Sequence, residues 1–425
     1  MRVLALLGLL AAFALNGDPE RVALRESSNG DPERVALHDL CVKPAQGCRA
    51  RLSASPNGDP ERVALRESPN GDPERVAPRE SSNGGPERVA LQLSQGTAPP
   101  RAAACDPVGK VQFICGVIAP EDLVVVPRSD WVIASGDAAG GAIKAINVRD
   151  RTATALFPTE TPRLRQDART YDSCPGPIDA EEKELFRAHG LYLRPGRSSV
   201  HTLYVVHHGT RESIEVFELD GRAKAPALTW IGCAIAPEPV GLNSVVGLPD
   251  GGFAATNFQP RGAARGRANM AAGEKNGELW EWHPRIGWKI VPGSEASGAN
   301  GIEISKDGKW FYMGGWGSQT FIRMSRGQTP ARRDEIPVGF RLDNLRWAPD
   351  GSLLAAGQEP SSTGALTMVT SHVIKIDPST LKVQEVIRYP FNDVFNFATV
   401  AIQVGKEIWV GSVRGDRIAR FPTAP

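Results

Sequence analysis

An excess of charge of either sign is missing from this chain of 425 residues, in which 49 lysines and arginines stand against 48 aspartates and glutamates. So even a balance gives no electrostatic footprint for nucleic acid or an anionic membrane. Long apolar runs are missing as well. Beyond Leu15 no stretch approaches the roughly 18 apolar residues of a transmembrane helix, so no stable membrane span is expected. Cysteine is sparse, with six residues, no CxxC pair and no Cys/His cluster, which excludes a zinc site of recognisable spacing. None of the six follows Cys233.

The opening MRVLALLGLLAAFAL combines Arg2, an apolar run from Val3 to Leu15 and an Ala12-Phe13-Ala14 pattern suited to signal peptidase. Residues 1–14 are therefore expected to be a signal peptide and the protein to be exported, periplasmic or secreted. An uncleaved anchor is the alternative. From Asn16 the motif NGDPERVALRESS recurs, starting again at Asn29, Asn57, Asn70 and Asn83, mostly at a period of thirteen. Each copy offers only Val, Ala and Leu as apolar residues, broken by Asn-Gly and Pro, and cannot bury enough surface to offset its chain entropy. Residues 15–104 are expected to be a disordered tract rather than a solenoid or a ligand-binding tail.

Beyond Cys105 the period changes to two. Six times a polar residue leads an alternating run, a Gly-containing turn and a second run. The copies begin EDLVVVP at Glu121, HGLYLRP at His189, NSVVGLP at Asn243, NGIEISKDGK at Asn300, DNLRWAPDG at Asp343 and TVAIQVG at Thr399. Third and fourth runs follow most pairs, as in GELWEWHP and GWKIVPG. Four antiparallel strands in each of six units predict an all-β, six-bladed β-propeller over 105–425. The sixth unit lacks a fourth strand after GDRIARFP, and VQFICG before Glu121 is a strand without a unit. The count balances if that N-terminal strand closes the ring, which removes the free edges of an open circle. A twelve-strand sandwich would leave the regular polar leaders unexplained.

In such a blade the first strand lies nearest the axis, so the leaders share one mouth of the channel. The ends of the second strands, including His207 and His208, reach the same face, as do long loops near Pro158 to Ala188 and Phe258 to Asn276. Glu121, Asn243, Asn300, Asp343 and Asn344 would converge there. Two carboxylates and three amide oxygens suit Ca²⁺ rather than zinc. Cys233, Cys174 and Cys115 approach this face too, and a Cys174–Cys233 disulfide is the favoured pairing. Thr399 has no evident role.

The runs EDLVVVP, HGLYL, SIEVFELD, NGIEISKDGK and LDNL resemble the serum paraoxonases and, more broadly, the gluconolactonase and regucalcin superfamily of calcium propellers. The resemblance spans about Val111 to Phe421. It implies that Glu121, Asn243, Asn300, Asp343 and Asn344 are catalytic calcium ligands, that His189 is the general base, and that His208 supports it. His207 could take the place of His208 if the strand register differs by one residue. The implied chemistry is hydrolysis of a small-molecule lactone or aryl ester. A sugar-lactone hydrolase without need of the histidine pair, and a non-catalytic propeller that binds calcium or a partner, are the alternatives.

Two departures qualify the resemblance. Paraoxonases hold a second, structural calcium with an Asp beside both the leading Glu and the first Asn; Asp122 keeps one position, but Ser244 takes the other. Their C-terminal cysteine staple is absent, so the ring must close by strand pairing. In the mouth loops, DAAGG after WVIASG replaces an aromatic wall residue, and Arg261, Arg265, Arg267 and Lys275 make the loop from Phe258 basic, which would suit an anionic substrate.

Overall fold

The alternating runs become strands, and in the third, fourth and fifth blades the first strand is buried throughout or nearly so while the fourth is largely exposed or half-buried. In a computed structural model, residues 105–423 are described except 223, 264–269, 271–272, 362–365 and 367. The expected signal peptide, the repeat tract, Cys41, Cys48, Arg265 and Arg267 lie outside the described residues.

Six antiparallel sheets form the blades of a β-propeller. Their first strands are Leu123–Val125, Arg187–Arg194, Leu242–Gly247, Ala299–Ile304, Arg341–Trp347 and Ala398–Val404. These six strands contact one another in order around the ring, and the sixth meets the first, which rules out the sandwich. Leu242–Gly247 and Ala299–Ile304 are buried at every residue. A strand packed on both faces reads as a continuous apolar and small-residue run rather than a strict alternation. The fourth strand Val383–Tyr389, VQEVIRY, is largely exposed on the rim.

The N-terminal strand Gln112–Cys115 pairs antiparallel with Arg417–Pro422 and supplies the outer strand of the sixth blade. The ring is thus closed by strand pairing, as expected. The second blade carries one addition not expected from the sequence, a two-residue strand Arg163–Leu164 running parallel to Thr229–Trp230.

Large side chains fill the seams between blades. Tyr171, Trp282 and Phe253 form a stack with centroids 5.5 and 5.0 Å apart. Each fully buried aromatic of this kind contributes roughly 1.5–3 kcal/mol. Tyr171 belongs to the long loop before the second blade, and the same loop is pinned by the disulfide Cys174–Cys233, with Cα atoms 5.2 Å apart. That pairing was expected. Cys115 is not a competitor for it, because it pairs with Cys105.

Candidate active site

A β-bulge lies at the same point of five inner strands. The ladder between first and second strands skips two residues at His189-Gly190, Asn243-Ser244, Asn300-Gly301 and Asp343-Asn344, and one at Thr399. In the first blade Glu121 and Asp122 stand just ahead of the strand. A bulge sets two residues against one and re-aims their side chains. The polar leaders therefore leave the alternation and meet across the channel.

The contacts span the ring. Asn344 Nδ2, from the fifth blade, donates to Glu121 Oε1 of the first at 2.5 Å. His189 Nε2 of the second blade lies 3.5 Å from Glu121 Oε1 and 3.5 Å from Asn243 Nδ2 of the third. Asp343 Oδ2 accepts from Gln358 Nε2 at 2.8 Å. Asn300 Oδ1 makes no hydrogen bond to the other four, but the next blade packs on its bulge. A Cβ on Gly301 would lie 2.5 Å from Asn344 Cα and from the Asp343 carbonyl oxygen. Gly190 stands in the same relation to the third blade, 2.5 Å from the Asn243 carbonyl oxygen. Glycine at these two positions lets neighbouring bulges approach closely enough for their side chains to share one centre.

All five candidate ligands are buried. Glu121 Oε2, Asn243 Oδ1, Asn300 Oδ1 and Asn344 Oδ1 have no hydrogen-bond partner. Leaving one such atom unpaired costs about 1–3 kcal/mol, so four together mark a place meant for something other than protein. Burial, reinforced by the Glu121 charge, pushes Asp343 well above the usual carboxylate range. Two carboxylates and three amides with free oxygens, held near one another, are the donor set of a hard divalent cation, and calcium fits it.

His189 lies at the open side of this cage, 15% exposed. Its Nδ1 is 2.8 Å from His208 Nε2, and His208 Nδ1 is 2.9 Å from Glu212 Oε2. A carboxylate only accepts, so the network assigns the proton on His208 to Nδ1, and its Nε2 accepts from His189 Nδ1. In neutral His189 the remaining Nε2 lone pair then faces the cage, where Asn243 Nδ2 approaches it and leaves Asn243 Oδ1 free. Burial works to lower the His189 pKa, but Glu121, Asp137 and Asp343 outweigh it and raise it to about 10. His207 plays no part in this pair. It stacks on Phe186 with centroids 4.9 Å apart, and burial lowers its pKa to about 3.

Several site residues were not recognised in the sequence. Glu212 orients His208 and also accepts the Leu242 amide at 2.6 Å, joining the second and third blades. Gln358 bridges Asp343 to the Ala398 carbonyl. Thr399, without an evident role in the sequence, donates from Oγ1 to the Glu121 carbonyl at 2.6 Å and fixes that ligand's backbone. Asp137 pairs with Arg187 at 2.7 Å, and its carboxylate groups with His189 and His208, all within 4.8 Å of one another. Burial works to raise Asp137, but the facing histidines and Arg187 hold it below the usual carboxylate range. The signal that would have found Gln358 is positional: like His208 and Asn257, it is a polar residue at the end of a second strand, beside a bulge. Of the basic loop, Arg261 pairs with Glu238.

No protein-family model matches this chain, and no curated protein matches it. It is similar in fold to solved propellers of different activities. A luciferin-regenerating enzyme shares 13% identity over 73% of this chain and 94% of its own, with a TM-score of 0.47. A gluconolactonase from Xanthomonas campestris shares 13% over 74% of this chain and 89% of its own, with a TM-score of 0.45. The PQQ-bound aldose sugar dehydrogenase of Streptomyces coelicolor shares 14% over 76% of this chain and all of its own, with a TM-score of 0.46.

Proposed function

We propose that this chain is a calcium-dependent hydrolase of lactones or aryl esters. Four orphaned oxygens and two carboxylates beside a partly open His189–His208–Glu212 chain are the observation that carries this reading. Glu121, Asn243, Asn300, Asp343 and Asn344 would hold Ca²⁺, which when bound supplies Lewis acidity toward a substrate carbonyl. Of the three carboxylates that raise the His189 pKa, Glu121 and Asp343 belong to the ligand set, and their charge is what such an ion would offset.

The protein's own residues account for the proton transfers. Neutral His189 accepts a proton from water at Nε2 as the water oxygen bonds to the carbonyl carbon, and returns it to the leaving oxygen as the ester C–O bond breaks. His208 accepts the Nδ1 hydrogen bond throughout, which disperses the positive charge gained by His189. Glu212 fixes the tautomer and orientation of His208. His189 Nε2 lies 3.5 Å from Glu121 Oε1, in contact with the proposed ligand set, which would put the base beside the carbonyl carbon that the water attacks.

We further propose that the protein is exported. Two disulfides among the described residues support an oxidising compartment. The deciding experiment is metal analysis of the purified full-length protein, with an ester and lactone panel before and after chelation. Bound calcium, with turnover lost to chelation and restored by Ca²⁺, is expected. Turnover that survives exhaustive chelation would overturn the metal reading, and calcium binding without turnover on any substrate would favour the binding propeller.

A further inference from the structure

One step further into the channel, a second oxygen-lined cage surrounds Arg346. Its side chain is 7% exposed and its donors reach four blades. Nε donates to the Leu123 carbonyl at 3.2 Å, Nη1 to the Leu345 carbonyl at 2.6 Å and Nη2 to the Leu191 carbonyl at 2.7 Å. Nη2 also pairs with Asp122 Oδ2, and Glu303 Oε1 of the fourth blade lies 3.6 Å from Nη1. Asp122 in turn accepts the amides of Leu191 at 2.7 Å and Leu123 at 2.8 Å. Three main-chain carbonyls and two carboxylates around one buried positive group are a cation cage in which the cation belongs to the chain.

The spacing links this cage to the mouth. Asp122 follows Glu121 by one residue, Leu191 follows His189 by two, Arg346 follows Asn344 by two and Glu303 follows Asn300 by three. The guanidinium thus ties together the segments that carry three mouth ligands and the base. Ser244, beside Asn243, leaves its buried Oγ unpartnered and adds no charge. With Arg346 already present, a divalent ion would meet a fixed positive charge within contact distance of both carboxylates, and at low dielectric that repulsion outweighs what the remaining oxygens offer.

We propose that Arg346 is the resident cation of the inner channel and occupies the place of a second metal ion, so that the ring is held without one and only the mouth takes an exchangeable divalent ion. Arg346 is a positioning residue for that mouth site. The part concerning the mouth rests on the calcium reading above; the inner cage does not.

The test counts ions and measures melting in the full-length protein. Elemental analysis of wild type after calcium saturation and desalting should give one Ca²⁺ per chain, and after chelation the protein should still melt cooperatively. Arg346→Lys keeps a cation but loses the fork, and should weaken calcium binding at the mouth about tenfold by titration calorimetry, as loss of an outer support does. The double variant Arg346→Ala/Ser244→Asp empties the cage and adds a carboxylate. It should take up one more Ca²⁺ than wild type and melt in a calcium-dependent manner. Two ions in wild type would overturn the proposal, whether or not the variants fold, and so would a folded double variant with no added ion. A wild type without calcium, beside a double variant that gains one, would sink the mouth reading and leave the inner cage standing.

Discussion

The four unpartnered oxygens at the mouth make opposite demands on the protein with and without its ion. Asn300 Oδ1 is buried without a hydrogen bond, so Asn300→Ala removes a group that destabilises the metal-free protein while removing a calcium ligand. Denaturation in chelator should show the variant unchanged or up to about 2 kcal/mol more stable, whereas calorimetry should show its calcium affinity reduced. Equal calcium affinity in variant and wild type would contradict the ligand assignment. His189→Gln should lower kcat by about 10²- to 10⁴-fold with calcium binding retained; undiminished turnover would favour the sugar-lactone alternative, in which the pair is not needed. His207 gives a pH prediction. Its pKa is lowered from 6.5 to about 3 by burial, so between those values the unfolded chain binds a proton that the native one refuses. The stability this neutral imidazole contributes is fully present above pH 6.5 and is lost as pH falls toward 3, by about 1.4 kcal/mol per unit. Chemical denaturation of wild type and His207→Gln across this window should show the smaller pH slope in the variant. Parallel profiles would refute the buried neutral state.

The bulge is the element that turns six similar strands into a site. Polar leaders and paired runs were legible in the sequence because period-two alternation and turn residues are local properties. The bulges were not, since a bulge is a relation between a strand and its partner, and neither strand shows it alone. For the same reason Glu212, Gln358 and Arg346 passed as ordinary polar positions, although they bond across blade boundaries. His207 and His208 could not be separated without the register, because one step along a strand exchanges the faces. The small residues after the leaders carry the remaining information. A Cβ at Gly301 would meet Asn344 Cα and the Asp343 carbonyl at 2.5 Å, both backbone atoms that cannot swing aside. Gly301→Ala should therefore cost about 1–3 kcal/mol by overpacking and spread the fourth and fifth blades at the mouth. Urea unfolding should register the first effect and weakened calcium binding the second. A variant as stable as wild type with unchanged affinity would show that the bulges do not set the spacing of the ligands.

Closure joins these local devices into one ring, because the five ligands come from four different blades and cannot be brought together unless the ring holds its angles. The last joint is the pairing of Gln112–Cys115 with Arg417–Pro422. This short strand buries Phe113 and Ile114 against the sixth blade, and Val111 joins them in the core. At roughly 1.5–3 kcal/mol for each large side chain, its loss is comparable with the whole stability of a typical domain, about 5–15 kcal/mol. It would also bare the edge of Arg417–Pro422, with unpaired backbone donors and acceptors beside newly exposed apolar surface. Glu121 lies a few residues beyond this strand, and its backbone is held by Thr399 from the sixth blade. Damage to the joint therefore reaches the mouth directly. Two truncated chains separate the joint from everything before it. A chain that begins at Cys105 keeps the strand and its Cys105–Cys115 disulfide, and should melt in one cooperative transition and bind calcium as the full chain does. A chain that begins at Val117 should lose calcium binding, melt broadly and associate through the open edge, seen as higher mass in light scattering. If the shorter chain melted and bound calcium like the longer one, the sixth blade would be stable with three strands, and ring closure would not be what holds the mouth ligands in register.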